Sequence, residues 1–134
     1  MWPEPVERIA ARLRRAGIEG RLEELPAGVD SPPPGAVRAE GFECDGRPLV
    51  ALVPTDRALD RGKLAAAARC RELRPAPSAP GFPFRRTRVF VDASILTTEM
   101  AWIEAGSPRY VLGLPPSQLN RLLRSQTADL VLED

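Results

Sequence analysis

The chemistry open to this chain is limited first by an absence. The sequence contains no histidine, which excludes Ser–His and Cys–His nucleophilic catalysis, the usual general base near neutral pH and the commonest metal ligand. Any reaction must draw on carboxylates, backbone amides, arginine or groups that a substrate brings with it. Cys44 and Cys70 are too few and too unpatterned for a disulfide framework or a zinc site. They read as two reduced, partly buried thiols, and no metal or cofactor is expected. Arg85, Arg86 and Arg88 stand together with no acid between them; such a cluster either meets a phosphate backbone or forms a solvated charged run. Asp92 closes the alternating run TRVFVD and reads as a strand-end carboxylate capping the following turn.

These residues must be held by elements that the pattern of the chain predicts. Val6, Ile9, Ala10, Leu13 and Ala16 recur at helical spacing, with Pro3 and Pro5 suited to a first turn and Gly17 to a stop. Ile18 to Leu25 reads as a strand, and PAGVDSPPPG (Pro26 to Gly35) as an ordered loop. Val37 to Cys44 and Pro48 to Pro54 form a hairpin through Asp45-Gly46, both of which tolerate positive φ. LVALVP is apolar on both alternating faces, as in a central strand. Asp60 suits the cap of a short helix through KLAAAARC. Leu73 to Pro83 is proline-rich and reads as a loop; Thr87 to Asp92 reads as a strand. Met100 to Glu104 and Arg109 to Leu114 flank Ala105-Gly106-Ser107-Pro108 as a second hairpin. A helix then starts at Pro115-Pro116-Ser117, and Ala128 to Leu132 is a closing strand. About three helices and six or seven strands make an α+β domain.

Composition sets the outer limits. The 134 residues suit one domain, 1–134, able to bury a core without staples, and 43% apolar with 28% charged residues is ordinary for a globular protein. The basic residues are eighteen Arg and only Lys63, a compositional skew and not a motif. A net charge of +1 argues against a strong autonomous nucleic-acid binder, although a local patch is compatible with it. No apolar run is long enough for a membrane span, and MWPEPVERIAARLRR is amphipathic where a signal peptide needs an unbroken apolar segment. A cytoplasmic protein with no membrane or DNA partner is expected.

In order along the chain, VALVPTDRALDRGKLAAAA, VFVDASIL and AWIEAGSPRYVLGLPPSQLNRLL resemble the YbaK-type aminoacyl-tRNA deacylases, free-standing relatives of the editing domain in bacterial prolyl-tRNA synthetase. The resemblance spans roughly Ala36 to Leu123. It implies a mixed, barrel-like β-sheet flanked by helices, a tRNA acceptor end as substrate, a synthetase as a possible partner, and hydrolysis of the 3′ aminoacyl ester. It places Arg38 at the family's pocket lysine, counting back from Phe42, Asp45 and Gly46. Gly81-Phe82-Pro83-Phe84 falls at a substrate loop, and Ala105, Gly106, Ser107 and Pro108 form the wall facing the aminoacyl group. The chain departs from the family in three ways. Arginine replaces lysine at position 38, Arg85 stands where the loop would end in glycine, and the chain is shortened between Leu25 and Val37 and between Leu73 and Gly81.

The implied chemistry needs no side-chain base. Backbone N–H groups near Gly81 and Gly106 would polarise the ester carbonyl, one such donor contributing about 3 kcal/mol. Water or a group on the substrate would attack, while Arg38, which cannot accept a proton, would orient the terminal phosphate or ester. Phe82 and Phe84 would stack on adenine or else belong to the core. Three readings remain open at this point: a deacylase of altered specificity, a non-catalytic relative that binds tRNA ends, a nucleotide or a synthetase, and a small hydrolase or ligand-binding protein unrelated to tRNA. An open, glycine-lined cleft with Arg38 pointing inward favours the first, and a cleft filled by Phe82 or Phe84 the second.

Overall fold

The computed structural model describes residues 2–25, 35–77, 81–105 and 109–133. Helix α1 (Glu4–Ala16) begins with proline in its first turn and ends at Gly17, whose φ of 68° supplies the left-handed cap. Glu4 and Glu7 at its start and Arg14 and Arg15 at its end complement the helix dipole. Strand β1 (Arg21–Glu24) follows. Strands β2 (Ala36–Cys44) and β3 (Arg47–Pro54) are joined by Asp45 and Gly46, both at positive φ. Asp60 caps α2 (Arg61–Ala68), its Oδ1 accepting from Lys63 N at 3.2 Å. Next come β4 (Leu73–Pro75), β5 (Arg88–Asp92), a 3-10 turn (Ala93–Thr97), β6 (Ala101–Glu104), β7 (Tyr110–Leu114), α3 (Pro116–Leu123) and β8 (Gln126–Ala128).

The eight strands of the described residues belong to one mixed sheet. Its order is β1-β7-β6-β2-β3-β5-β8, with β4 added alongside β2. The hairpins are antiparallel, whereas β2/β6, β3/β5 and β5/β8 run parallel. The order runs from β1 to β8 without returning, so the sheet is open and not the barrel-like closure expected.

Both faces are covered, which explains why LVALVP needs no polar alternation. Val50 and Leu52 enter one core with Ile9 and Leu13 of α1, Leu119 and Leu123 of α3, Phe82, Phe84 and Ile95. Leu49, Ala51 and Val53 enter a second core with Leu64 and Ala68 of α2, Leu130 and Val131. Burying each such aliphatic side chain contributes about 1.5–3 kcal/mol, so β3, apolar on both faces, anchors the two layers together.

Several expectations are corrected. Leu73–Pro75 is a strand because its backbone pairs with β2, Leu73 opposite Cys44. That pairing also brings the chain after α2 next to the end of β2, and Cys44 and Cys70 form a disulfide across 26 residues, with Cα atoms 5.4 Å apart. They are not the reduced thiols their spacing suggested. The last strand is Gln126–Ala128, since it is this segment that pairs with β5; Val131 makes only an isolated bridge to Leu59. The first strand is confined to Arg21–Glu24, where pairing with β7 exists. The expected loop from Pro26 lies, up to residue 34, outside the described residues.

Candidate functional site

Strand β2 is paired with β3 along one edge, but its other edge is shared. Strand β6 pairs with Ala36 and Val37, and β4 pairs with Phe42 to Cys44. Ala76 N extends the second contact to Gly41 O at 3.0 Å. Among the described residues, Arg38 to Glu40 therefore sit in a gap between two partner strands. Glu104 is one step beyond the last β6 pair, Val37 with Ile103. A gap in a sheet edge leaves backbone donors and acceptors open to an outside group.

The Arg38 side chain is committed to the protein. Its Nη1 donates to Pro54 O at 2.8 Å and to Arg57 O at 2.7 Å, and its Nε and Nη2 donate to Glu40 Oε2 at 3.2 and 2.9 Å. Both members of the Arg38–Glu40 pair are partly buried. By strand alternation Arg38 and Glu40 share the face of Phe42 and Cys44, hence of the second core. Phe82 and Phe84 belong to the first core, so their side chains and that of Arg38 lie on opposite faces of the sheet.

The 81–88 segment combines an open backbone with a closed set of rings. A Cβ added at Gly81 would meet nothing within 4 Å. Phe82 and Phe84 are 9% and 4% exposed and pack edge to face, 5.7 Å between centroids. Their rings are core, yet Phe82 joins Gly81 and Pro83 in lining a cleft of about 510 Å³ against α1, and Phe84 lines an adjoining one. The remainder of the first wall includes Arg8, Arg12, Arg15 and Arg85. The two discriminating features are thus divided: the glycine is open, but the Arg38 side chain is elsewhere. Ala105 is buried, its N donating to Tyr110 O at 3.0 Å. Gly106, Ser107 and Pro108 lie outside the described residues.

The arginine cluster also divides. Arg85 and Arg86 are exposed, whereas the Arg88 guanidinium lies 5.3 Å from the Phe90 ring centroid and donates to Ala68 O at 3.3 Å. Asp92 is the one buried charged residue among those described. Its Oδ2 accepts from Ser94 N at 3.0 Å and from Ser94 Oγ, and its Oδ1 accepts from Leu130 N at 2.8 Å. It is the turn cap read from the sequence, and it additionally fastens the C-terminal segment.

Three groups have displaced pKa values. Asp45 is held below its ordinary pKa by the backbone N–H groups of Glu72 and Arg71. Lys63 is raised by its hydrogen bond to Asp129, which is lowered by the same contact, Nζ to Oδ2 at 3.0 Å. Among the described residues no cluster of three or more Cys, Asp or Glu could hold a metal ion, and no helix is long and apolar enough to cross a membrane.

Sequence reasoning missed Arg8, Arg12 and Arg15, although their spacing along α1 puts them on one side of a helix. It also missed Glu40, whose carboxylate holds Arg38.

The sheet order and flanking helices define an α+β domain of known architecture. A crystal structure described as a "putative trans-editing enzyme for prolyl tRNA synthetase" matches with a TM-score of 0.85 at 22% identity, covering 99% of this chain and 100% of the other. A scaffold from computational epitope-backbone grafting matches with a TM-score of 0.83 at 20% identity and the same coverage. A "putative signal transduction protein" from Marinobacter aquaeolei VT8 matches with a TM-score of 0.73 at 17% identity; this chain is 99% covered but only 31% of that chain is. No protein-family model and no curated protein matches the sequence. The chain has the fold of the trans-editing neighbour, as the resemblance to YbaK-type deacylases implied.

Proposed function

We propose that this chain is a trans-editing protein that hydrolyses the 3′ aminoacyl ester of a mischarged tRNA in the cytoplasm. The observation that carries the reading is the coincidence of two features. One is the end-to-end match of the fold to a structure described as a trans-editing enzyme. The other is the unpaired stretch of β2 at Arg38 to Glu40, where the resemblance puts the pocket.

In the reaction, the oxygen of water bonds to the ester carbonyl carbon, and the bond from that carbon to the ribose oxygen breaks. The departing ribose oxygen takes the proton that the water gives up, becoming a hydroxyl, and the free amino acid leaves. The backbone N–H at Gly81 is a donor for the developing oxyanion. Arg38 is a positioning residue: its guanidinium fixes β2 against the turn after β3 and keeps Glu40 paired. A synthetase that hands over the tRNA is the partner this reading implies.

A second reading is favoured by the Arg38 contacts themselves. A guanidinium with Nε and both Nη atoms engaged by Glu40, Pro54 and Arg57 has little capacity left for a substrate phosphate. On that reading the chain binds tRNA ends without turning them over.

Deacylation of a panel of mischarged tRNAs by the wild type and Arg38→Lys separates the two. Ester loss above the uncatalysed rate for at least one aminoacyl group supports the enzyme, with Arg38→Lys retaining part of it. No acceleration on any ester overturns the deacylase and leaves the binding reading.

A further inference from the structure

Three clefts adjoin on the face of the sheet that carries α1 and α3, and Arg12 and Arg85 line all three. Arg15, Arg86, Arg121 and Arg124 add to the positive lining, beside Arg8 in the first cleft and Arg88 in another, and no aspartate or glutamate lines any of the three. Among the described residues, and leaving Arg8 and Arg88 aside, none of the other six arginines makes an ion pair or a side-chain hydrogen bond. The Arg12 Nε is buried without a partner. By contrast, Arg21, Arg38 and Arg74 each hold a glutamate, and Arg8, which also lines the first cleft, pairs with Glu4.

We propose that this face is a docking surface for the phosphate backbone of an RNA stem. The inference rests on the tRNA reading above for the choice of RNA, and on the arrangement of charge for the surface itself. A net charge of +1 distributed evenly would not attract a polyanion, but six unpaired arginines on one face leave the remainder of the chain acidic. Segregated charge of this kind produces a directed field despite near-neutral composition. The arginines come from three separate elements, α1, the 81–88 loop and α3, a spread that suits a polymer with repeated phosphates better than one small anion. Guanidinium forks match phosphate oxygens in pairs. The clefts also reach Gly81 and Pro83, so a stem seated on the arginines would run toward the loop that the resemblance assigns to its 3′ end.

The test is fluorescence anisotropy of a short labelled RNA hairpin carrying no amino acid, titrated with the full chain over a range of salt concentrations. Binding should weaken steeply with salt, since each engaged phosphate contributes roughly −0.9 to the log–log slope on a duplex. Arg85→Glu with Arg86→Glu should weaken binding by about tenfold or more and flatten that slope, with little change in melting temperature because both side chains are exposed and lie outside the helices. Arg47→Glu, on the β2–β3 hairpin, should bind like the wild type. Equal losses in the Arg47 control, equal affinity for a DNA hairpin of the same sequence, or capture by phosphatidylserine vesicles without RNA binding would each overturn the proposal. Because the hairpin carries no ester, its binding is read independently of turnover; RNA binding here together with no ester loss in the mischarged-tRNA panel would support this surface while removing the deacylase reading.

Discussion

Arg38 and Arg57 are joined through the backbone: the Nη1 of Arg38 donates to the carbonyl of Arg57 at 2.7 Å, while reaching Pro54 O at 2.8 Å. One guanidinium thus ties β2 to the connection that leads from β3 into α2. The residue that the resemblance puts in a pocket also has a mechanical duty.

That duty predicts a stability effect separable from activity. Charge-assisted hydrogen bonds contribute about 1.5–3 kcal/mol each, but part of this is lost to water at a partly buried site. Arg38→Ala should therefore destabilise by about 2 kcal/mol, and Arg38→Lys by roughly half as much, because an ammonium cannot span both carbonyls and Glu40. Urea denaturation midpoints measure this. Unchanged midpoints would show that the latch contributes nothing and free Arg38 for a direct role.

Asp92 fastens a second join. Its removal leaves the buried Leu130 N–H without an acceptor and uncaps the 3-10 turn at Ser94. A buried donor left unpaired costs about 1–3 kcal/mol. Asp92→Ala should lower stability by about 3 kcal/mol and Asp92→Asn by less, since the amide oxygen still accepts. Hydrogen exchange at the Leu130 amide should accelerate in Asp92→Ala; unaltered protection there would sink this account.

The disulfide sets a third expectation. Closing a loop of 26 residues stabilises by about 3 kcal/mol through restriction of the unfolded chain. Cys44→Ser with Cys70→Ser should melt well below the oxidised wild type, as should the wild type in reductant. Alkylation of protein taken directly from cells should find both thiols blocked, the bond persisting against the reductants of the cytoplasm that the proposed function implies. Full labelling of both thiols would show that the bond is absent in the cell.

The layers were legible from the sequence because they depend on local pattern. The α1 stripe, the Asp45-Gly46 turn, the Asp60 cap and the doubly apolar β3 each state their surroundings in a few adjacent residues. What escaped was decided by distant pairing. Leu73–Pro75 carries no strand signal and becomes one only because β2 offers an edge; the same pairing closes the disulfide. For the site, resemblance indicated Arg38 and the Gly81 loop, but strand alternation puts the Arg38 side chain and the Phe82 and Phe84 rings on opposite faces. Of the arginine face only the local run Arg85-Arg86 was legible; its other members come from α1 and α3, and composition alone averaged their charge away.

Asp45 gives the fourth prediction, a pH effect with a definite sign. Its carboxylate accepts from Glu72 N at 2.8 Å and from Arg71 N at 3.0 Å, and these backbone donors lower its pKa below the ordinary 3.8. A carboxyl group whose pKa falls on folding adds stability above its unfolded value and loses it as pH drops through the lowered folded value. The contacts joining the β2–β3 turn to residues 71 and 72 should thus hold at neutral pH and loosen only on acidification below the ordinary carboxylate range. Asp45→Asn should remove that acid-dependent step while leaving the hairpin folded. Amide chemical shifts of Arg71 and Glu72 followed through an acid titration provide the measurement. A midpoint at or above 3.8 would contradict the hydrogen-bonded carboxylate, and with it the docking of this turn beside β4.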